Sequence, residues 1–221
     1  MQKNSELVKS VENRFINQFS RRPEIVSLAP GRINIIGEHT DYNGGLAMPA
    51  AINRYICTAI SRSTDNNISI LSMNYDKAIK IPLDAGFEGD SNWSKLISSA
   101  IHTLQAEFGV NGGADIVVGG DIPIGCGLSS STALVVSITA GLCRLFGVDL
   151  SGKDLAHLCQ RIENFGLGLA IGLLDQYSIV LSKEKHAMMI DFQNQEIKHI
   201  PLSLDDCSWV VINSSVTREL A

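Results

Sequence analysis

The stretch Pro123-Ile124-Gly125-Cys126-Gly127-Leu128-Ser129-Ser130-Ser131 constrains this chain more than any other. It lies between a strand predicted over 114–118 and an apolar segment, Ser130 to Phe146, that predicts a buried helix. A glycine-rich turn feeding a helix N-terminus lets the backbone approach an anion closely. The free amides and the positive dipole end there attract negative charge. Three consecutive serines add hydroxyl donors, one of them able to ligate a metal. These parts suit a polyphosphate; they also suit a flexible loop before a serine-capped helix. Two better-known phosphate motifs are absent. Ser130 stands where a dinucleotide fingerprint needs its third glycine, and a helix fills the place of its acidic strand end. No Gly-Lys-Ser/Thr follows to make a P-loop. A second glycine cluster, Gly166, Gly168 and Gly172, misses both spacings.

Around this loop the periodicities alternate between helix and strand. Leu7, Val8, Val11, Phe15, Ile16 and Phe19 share one face of a helix predicted over 4–19, which Arg22-Pro23 ends. Short strands are predicted at 24–28 and 32–36, broken by Pro30-Gly31, and further strands at 55–61, 67–73 and 77–82. Residues 82–90 read as a loop and 93–108 as a second helix. Ser151 and Asp154 form a capping-box-like start for a helix over 152–164. A glycine-broken stretch then runs to Asp175, with strands expected at 186–191 and 208–212. The mixture predicts an α+β, or mixed α/β, domain.

Composition bounds the function. Of 221 residues, 45% are hydrophobic and 19% charged, which is ordinary for a globular core and excludes a disordered chain. Eighteen basic against 23 acidic residues leave a net charge of −5, against the basic patch that non-specific nucleic-acid binding needs. There is no apolar run long enough to span a membrane and no secretory signal in the polar start MQKNSELVKS. The five cysteines are widely spaced with no C-x-x-C pair. Free thiols in a reducing, cytoplasmic setting are therefore expected.

Two more segments carry chemistry. Residues 29–45, APGRINIIGEHTDYNGG, gather Arg32, Asn34, Glu38, His39, Asp41 and Tyr42 around a short apolar strand. Carboxylates accept hydroxyl hydrogens and a histidine can donate, so the set suits a polyhydroxy compound such as a sugar. A solvated turn is the plainer alternative, and a metal site a weaker one without a second histidine nearby. Asp175, inside Leu173-Leu174-Asp175-Gln176-Tyr177, is a carboxylate in an apolar setting that must be paired, capping or functional. Glu163, beside Arg161 near a helix end, reads by itself as a surface charge.

Taken together, the segments resemble the galactokinases, within the wider superfamily of galactose, homoserine, mevalonate and phosphomevalonate kinases. The first resembling segment is Gly31-Arg32-Ile33-Asn34-Ile35-Ile36-Gly37-Glu38-His39-Thr40-Asp41-Tyr42, which matches the signature that sets galactokinase-like members apart. The others are Pro123 to Ser131, Glu163 through Gln176, and Asn213-Ser214-Ser215-Val216. The resemblance implies ATP-dependent transfer to the anomeric hydroxyl of galactose or a close relative. It implies Asp175 as catalytic carboxylate with Arg32 beside it, and Glu38, His39, Asp41 and Gly172 at the sugar. Gly125, Gly127, Ser129, Ser130 and Ser131 would cradle ATP, with Ser131 and Glu163 on Mg²⁺. The fold implied is a mixed β-sheet with helices packed on one face, residues 1–203 forming the sugar- and ATP-binding domain and 204–221 the start of a second. A chain ending there is expected to be weakly active or inactive alone, and a non-catalytic sugar and nucleotide sensor is the alternative. Cys126 replaces a loop glycine of the family pattern. Thr132 replaces a frequent alanine, Gly166 a phenylalanine, and Ile171 a small residue near the sugar segment.

Overall fold

The computed structural model describes residues 2–84, 89–202 and 210–212. Five helices and seven strands follow one another as α1 (Gln2–Phe19), β1 (Ile25–Ile36), β2 (Leu46–Arg62), β3 (Asn67–Ser72), β4 (Lys77–Pro82), α2 (Asn92–Phe108) and β5 (Ala114–Gly120). They continue with α3 (Ser130–Phe146), α4 (Gly152–Leu167), α5 (Leu174–Val180), β6 (His186–Asp191) and β7 (Glu196–Pro201). The strands form one mixed sheet in the order β4-β3-β5-β2-β6-β7, with β1 also paired to β2. Among the described residues only β3 and β5 run parallel; the other pairs are antiparallel.

The pleat sorts the core by strand period. Ile56, Ile60, Ile68, Ile70, Ile116 and Val118 face the layer of α2, α3 and α4. Their alternates Cys57, Ala59, Leu71 and Val117 face Val11 and Phe15 of α1. The mixed α/β architecture expected from the sequence is present, but α1 covers the opposite face, so the helices are not confined to one side. The apolar run Thr132–Leu145 makes α3 the central helix, in contact with β1, β2, α2, α4 and α5.

Three elements differ from the sequence expectation. Residues 25–36 form one strand, not two. Pro30 lies at a register shift against β2, and such a bulge absorbs a residue without a backbone donor. Gly31 is required there, since a Cβ would stand 2.9 Å from the carbonyl oxygen of Leu128. Strand β2 starts at Leu46, well before the expected 55, because its first half pairs with β6 and β1. Helix α5 and strand β7 were not anticipated. Of the strand expected over 208–212, residues 208 and 209 lie outside the described residues, and 210–212 form no strand. The segment 213–216 and most of the expected second-domain start, 204–221, also lie outside them.

Candidate active site

Arg32, just past the register shift between β1 and β2, reaches the first turn of α5. Arg32 Nε donates to Asp175 Oδ1 at 2.7 Å, and its Nη2 lies 2.6 Å from the same oxygen. Arg32 Nη1 donates to the Gly127 carbonyl at 2.7 Å, tying the glycine loop to the ion pair. Ser129 Oγ donates to Asp175 Oδ2 at 2.5 Å. Both carboxylate oxygens are thus engaged, and the guanidinium is held at two ends. The pair keeps some access to solvent, with 15% of the arginine side chain and 29% of the aspartate side chain exposed.

The loop itself is a left-handed turn. Gly125 and Gly127 have φ of 73° and 68°, which glycine adopts without a Cβ penalty. Ser129, at φ 57°, is the N-cap residue of α3 yet makes no side-chain cap bond, because its hydroxyl is spent on Asp175. That bond turns Ser129, one of the residues expected in the phosphate cradle, toward the ion pair. The first intrahelical bond runs from Ala133 N to Ser129 O at 2.9 Å. The amides of Ser130 to Thr132 consequently point out of the helix end without intrahelical partners. Ser130 and Ser131 sit half-buried in that first turn. Beside the loop lies a cavity of about 490 Å³ whose walls include Ile33, Ile52, Asn53, Pro123, Cys126 and Leu128.

The segment after β1 reverses sharply, with Gly37 at φ 100°, His39 at φ 61° and a 3-10 turn at Asp41–Asn43. Asp41 Oδ2 accepts from Leu174 N at 3.3 Å, so this expected sugar residue caps the helix that carries Asp175. Gly172 packs against the same carboxylate so closely that a Cβ there would lie 1.7 Å from Asp41 Oδ2. His39 is exposed and pairs with Tyr42 through Nδ1 and the hydroxyl at 2.6 Å. Glu38 is exposed and, among the described residues, makes no hydrogen bond or ion pair. The structure thus brings Arg32, Asp41, Ser129, Gly172 and Asp175 together and leaves Glu38 and His39 at the rim.

Sequence reasoning missed the clamp under Gly172. Gln160 Nε2 donates to the Ile171 carbonyl at 2.9 Å, and Asn164 Oδ1 accepts from Ile171 N at 2.9 Å. Both residues lie one turn apart on α4, a spacing that could have flagged them. Gly166, which replaces a phenylalanine of the family pattern, lies in the crossing of α4 with α2. A Cβ there would stand 3.2 Å from Ser99 Cβ and 3.3 Å from Leu96 Cδ2. Its small size serves helix packing.

Glu163 is not the surface charge that its neighbourhood suggested: it is 3% exposed. Thr132 Oγ1 lies 3.1 Å and 2.9 Å from its two carboxylate oxygens, and Gln176 Nε2 donates to Oε2 at 2.9 Å. The Ser131 hydroxyl donates to it as well. Burial pushes its pKa up, against those hydrogen bonds, and the charge of nearby Asp175 adds to the rise. No arginine or lysine pairs with it among the described residues. A buried carboxylate held only by neutral donors lacks a counter-charge. Oxygen donors from Ser131 and Glu163 at a helix N-terminus fit a hard divalent cation that keeps several waters. No cluster of three or more histidine, cysteine, aspartate or glutamate residues that could hold a metal occurs among the described residues. These two oxygens would accordingly share the ion with phosphate and water.

Comparison with known proteins bears on the family and the fold. Residues 13–62 match the galactokinase galactose-binding signature, and residues 95–183 match the N-terminal domain of the GHMP kinases. Galactokinases from two strains of Clostridium perfringens are each 32% identical over 218 residues, covering 97% of this chain and 56% of their own length. The structure of Lactococcus lactis galactokinase complexed with galactose superposes with a TM-score of 0.82 at 31% identity, covering 89% of this chain and 52% of that one. Mevalonate kinase from Methanococcus jannaschii shares the fold, with a TM-score of 0.69 at 19% identity over 80% of this chain and 55% of its own. The chain spans about half the length of the curated relatives it matches.

Proposed function

Because this chain is a homologue of the galactokinases that carries the N-terminal domain of the GHMP kinases, we propose that it phosphorylates galactose, or a close relative, at the anomeric hydroxyl with ATP. The observation that carries this reading is the Arg32–Asp175 pair, met by Ser129 and by the Gly127 carbonyl at the mouth of the phosphate loop. Asp175 takes up or stabilises the proton of the attacking hydroxyl. Arg32 neutralises charge that spreads over the transferred group, as do the outward amides at the start of α3. Asp41, Gly172 and the rim residues Glu38 and His39 hold the sugar's other hydroxyls. Gly125, Gly127, Ser130 and Ser131 line the path of the triphosphate. Ser131 and Glu163 would hold Mg²⁺, which supplies charge neutralisation between the phosphates. Most of the rate gain in phosphoryl transfer comes from such positioning and charge matching.

The same reading makes residues 1–203 the sugar- and ATP-binding domain, with 204–221 leading into a second. No described helix is long and apolar enough to cross a membrane, and we place the activity in the cytoplasm. ADP release measured with a panel of sugars tests the proposal. Galactose is expected to give the highest rate, with weak turnover for these 221 residues alone. Turnover equal to that of the Clostridium perfringens relatives would overturn the expectation of weak activity. Binding of ATP and galactose with no ADP release would favour a sensor.

A further inference from the structure

Beneath the ion pair, three helices meet through side chains that the proposed reaction leaves without a role. Thr132 belongs to the first turn of α3 and is 1% exposed. Its hydroxyl spans both oxygens of Glu163, at 3.1 Å and 2.9 Å. Gln176, fully buried in the first turn of α5, gives its amide nitrogen to Glu163 Oε2 at 2.9 Å. The other end of that amide, Oε1, is buried with no partner among the described residues. Gln176 also follows Asp175 directly, so the residue that steadies Glu163 shares a peptide bond with the proposed catalytic carboxylate.

An amide oxygen buried without a donor is costly to build, and natural cores seldom keep one without a use. Groups that orient a metal ligand from behind govern affinity nearly as strongly as the ligand itself. Resting on the sugar kinase reading above, we infer that Thr132 and Gln176 are positioning residues for the divalent cation. Thr132 fixes the carboxylate plane of Glu163 by engaging both oxygens. Gln176 fixes Oε2 through its amide nitrogen, the end that faces the carboxylate. Through the peptide between residues 175 and 176, the same contacts set metal ligand and catalytic carboxylate in register.

The test needs no turnover. Mn²⁺ binding to the chain in the presence of ADP is followed by electron paramagnetic resonance, and galactose binding by calorimetry. Thr132→Val keeps the shape and removes the donor; Thr132→Ser keeps the donor; Gln176→Leu removes both amide ends. The expected result is a loss of about tenfold in Mn²⁺ affinity for Thr132→Val and Gln176→Leu. Thr132→Ser is expected to restore the affinity, with galactose affinity within twofold throughout. Mn²⁺ affinity unchanged in Thr132→Val, whatever its melting temperature, would overturn the inference, as would a serine variant as weak as the valine one. Wild-type binding of Mn²⁺ without galactose would strike the sugar reading alone. A wild type that binds neither would end both.

Discussion

Asp175 and Glu163 are both carboxylates brought to the first turn of α3, and their surroundings have opposite character. Asp175 is part-open and meets an arginine and a serine hydroxyl. Glu163 is sealed and meets only neutral donors, Thr132, Gln176 and Ser131. The first has its counter-charge from the chain. The second has none, and burial lifts its pKa. One fold thus gives two identical functional groups opposite surroundings, which suit the roles proposed above: facing a reacting hydroxyl for Asp175 and holding a cation for Glu163.

The strongest way to break this contrast is to remove the open charge. Asp175→Asn keeps the size of the side chain but leaves Arg32 without its anion. Turnover is expected to fall by about 10³-fold, in the range set by loss of a positioned acid–base group. Galactose should still raise the melting temperature, because Asp41, Gly172 and the rim are untouched. ADP release near the wild-type rate would remove Asp175 from the chemistry. Arg32→Lys comes next, with a loss of about 10²-fold. A lysine point charge cannot keep both the Asp175 contacts and the Gly127 carbonyl. A loss confined to KM would make Arg32 a binding residue only.

The sealed side answers to pH. Burial raises the folded-state pKa of Glu163 above the ordinary 4.5. A raised pKa means stability that is complete below the unfolded value and is lost as pH rises through the folded one. Without metal, the melting temperature should therefore fall as pH climbs out of the ordinary carboxylate range. Glu163→Gln, neutral at every pH, should escape this fall and melt about 3 °C above the wild type at pH 8, on the usual scale for a domain of this size. Mg²⁺ with ADP should recover the loss in the wild type and not in the variant. Parallel melting curves for the two proteins across pH would show that Glu163 is already compensated and erase the contrast.

Much of the open side is legible in the sequence, because its residues sit in short segments with telling neighbours. Arg32 and Asp41 lie within one glycine-flanked run, and Asp175 interrupts an apolar one. The sealed side is not legible. Thr132, Glu163 and Gln176 lie on three helices, at sequence separations of 31 for the first two and 13 for the last two. No local pattern distinguishes Glu163 from a surface charge beside Arg161. Only the packing of α4 against α3 and α5 buries it. The same holds for elements: α5 has seven residues, too few to establish a 3.6-residue period, and it follows a glycine-rich stretch that reads as loop. Pro30-Gly31 reads as a break between two strands, whereas β1 runs through it with a register shift against β2.

Each side also carries a thiol, and these give the mildest test of the contrast. Cys126 sits half-buried in the glycine loop and lines the cavity beside it. Cys159 lies on α4 with none of its surface exposed, and burial drives its pKa far up, with Glu163 adding to the rise. Thiolate is the reactive form, so access and pKa act together. Iodoacetamide followed by mass mapping should modify Cys126 and spare Cys159 in the folded chain. If the loop takes up the triphosphate, ADP with Mg²⁺ at about ten times its dissociation constant should slow Cys126 modification about tenfold, by occupancy alone. Equal rates at the two cysteines would mean that the sealed side opens as readily as the exposed one. Unslowed modification with ADP bound would move the nucleotide away from Gly125–Ser131, leaving the amides at the start of α3 without the role proposed for them.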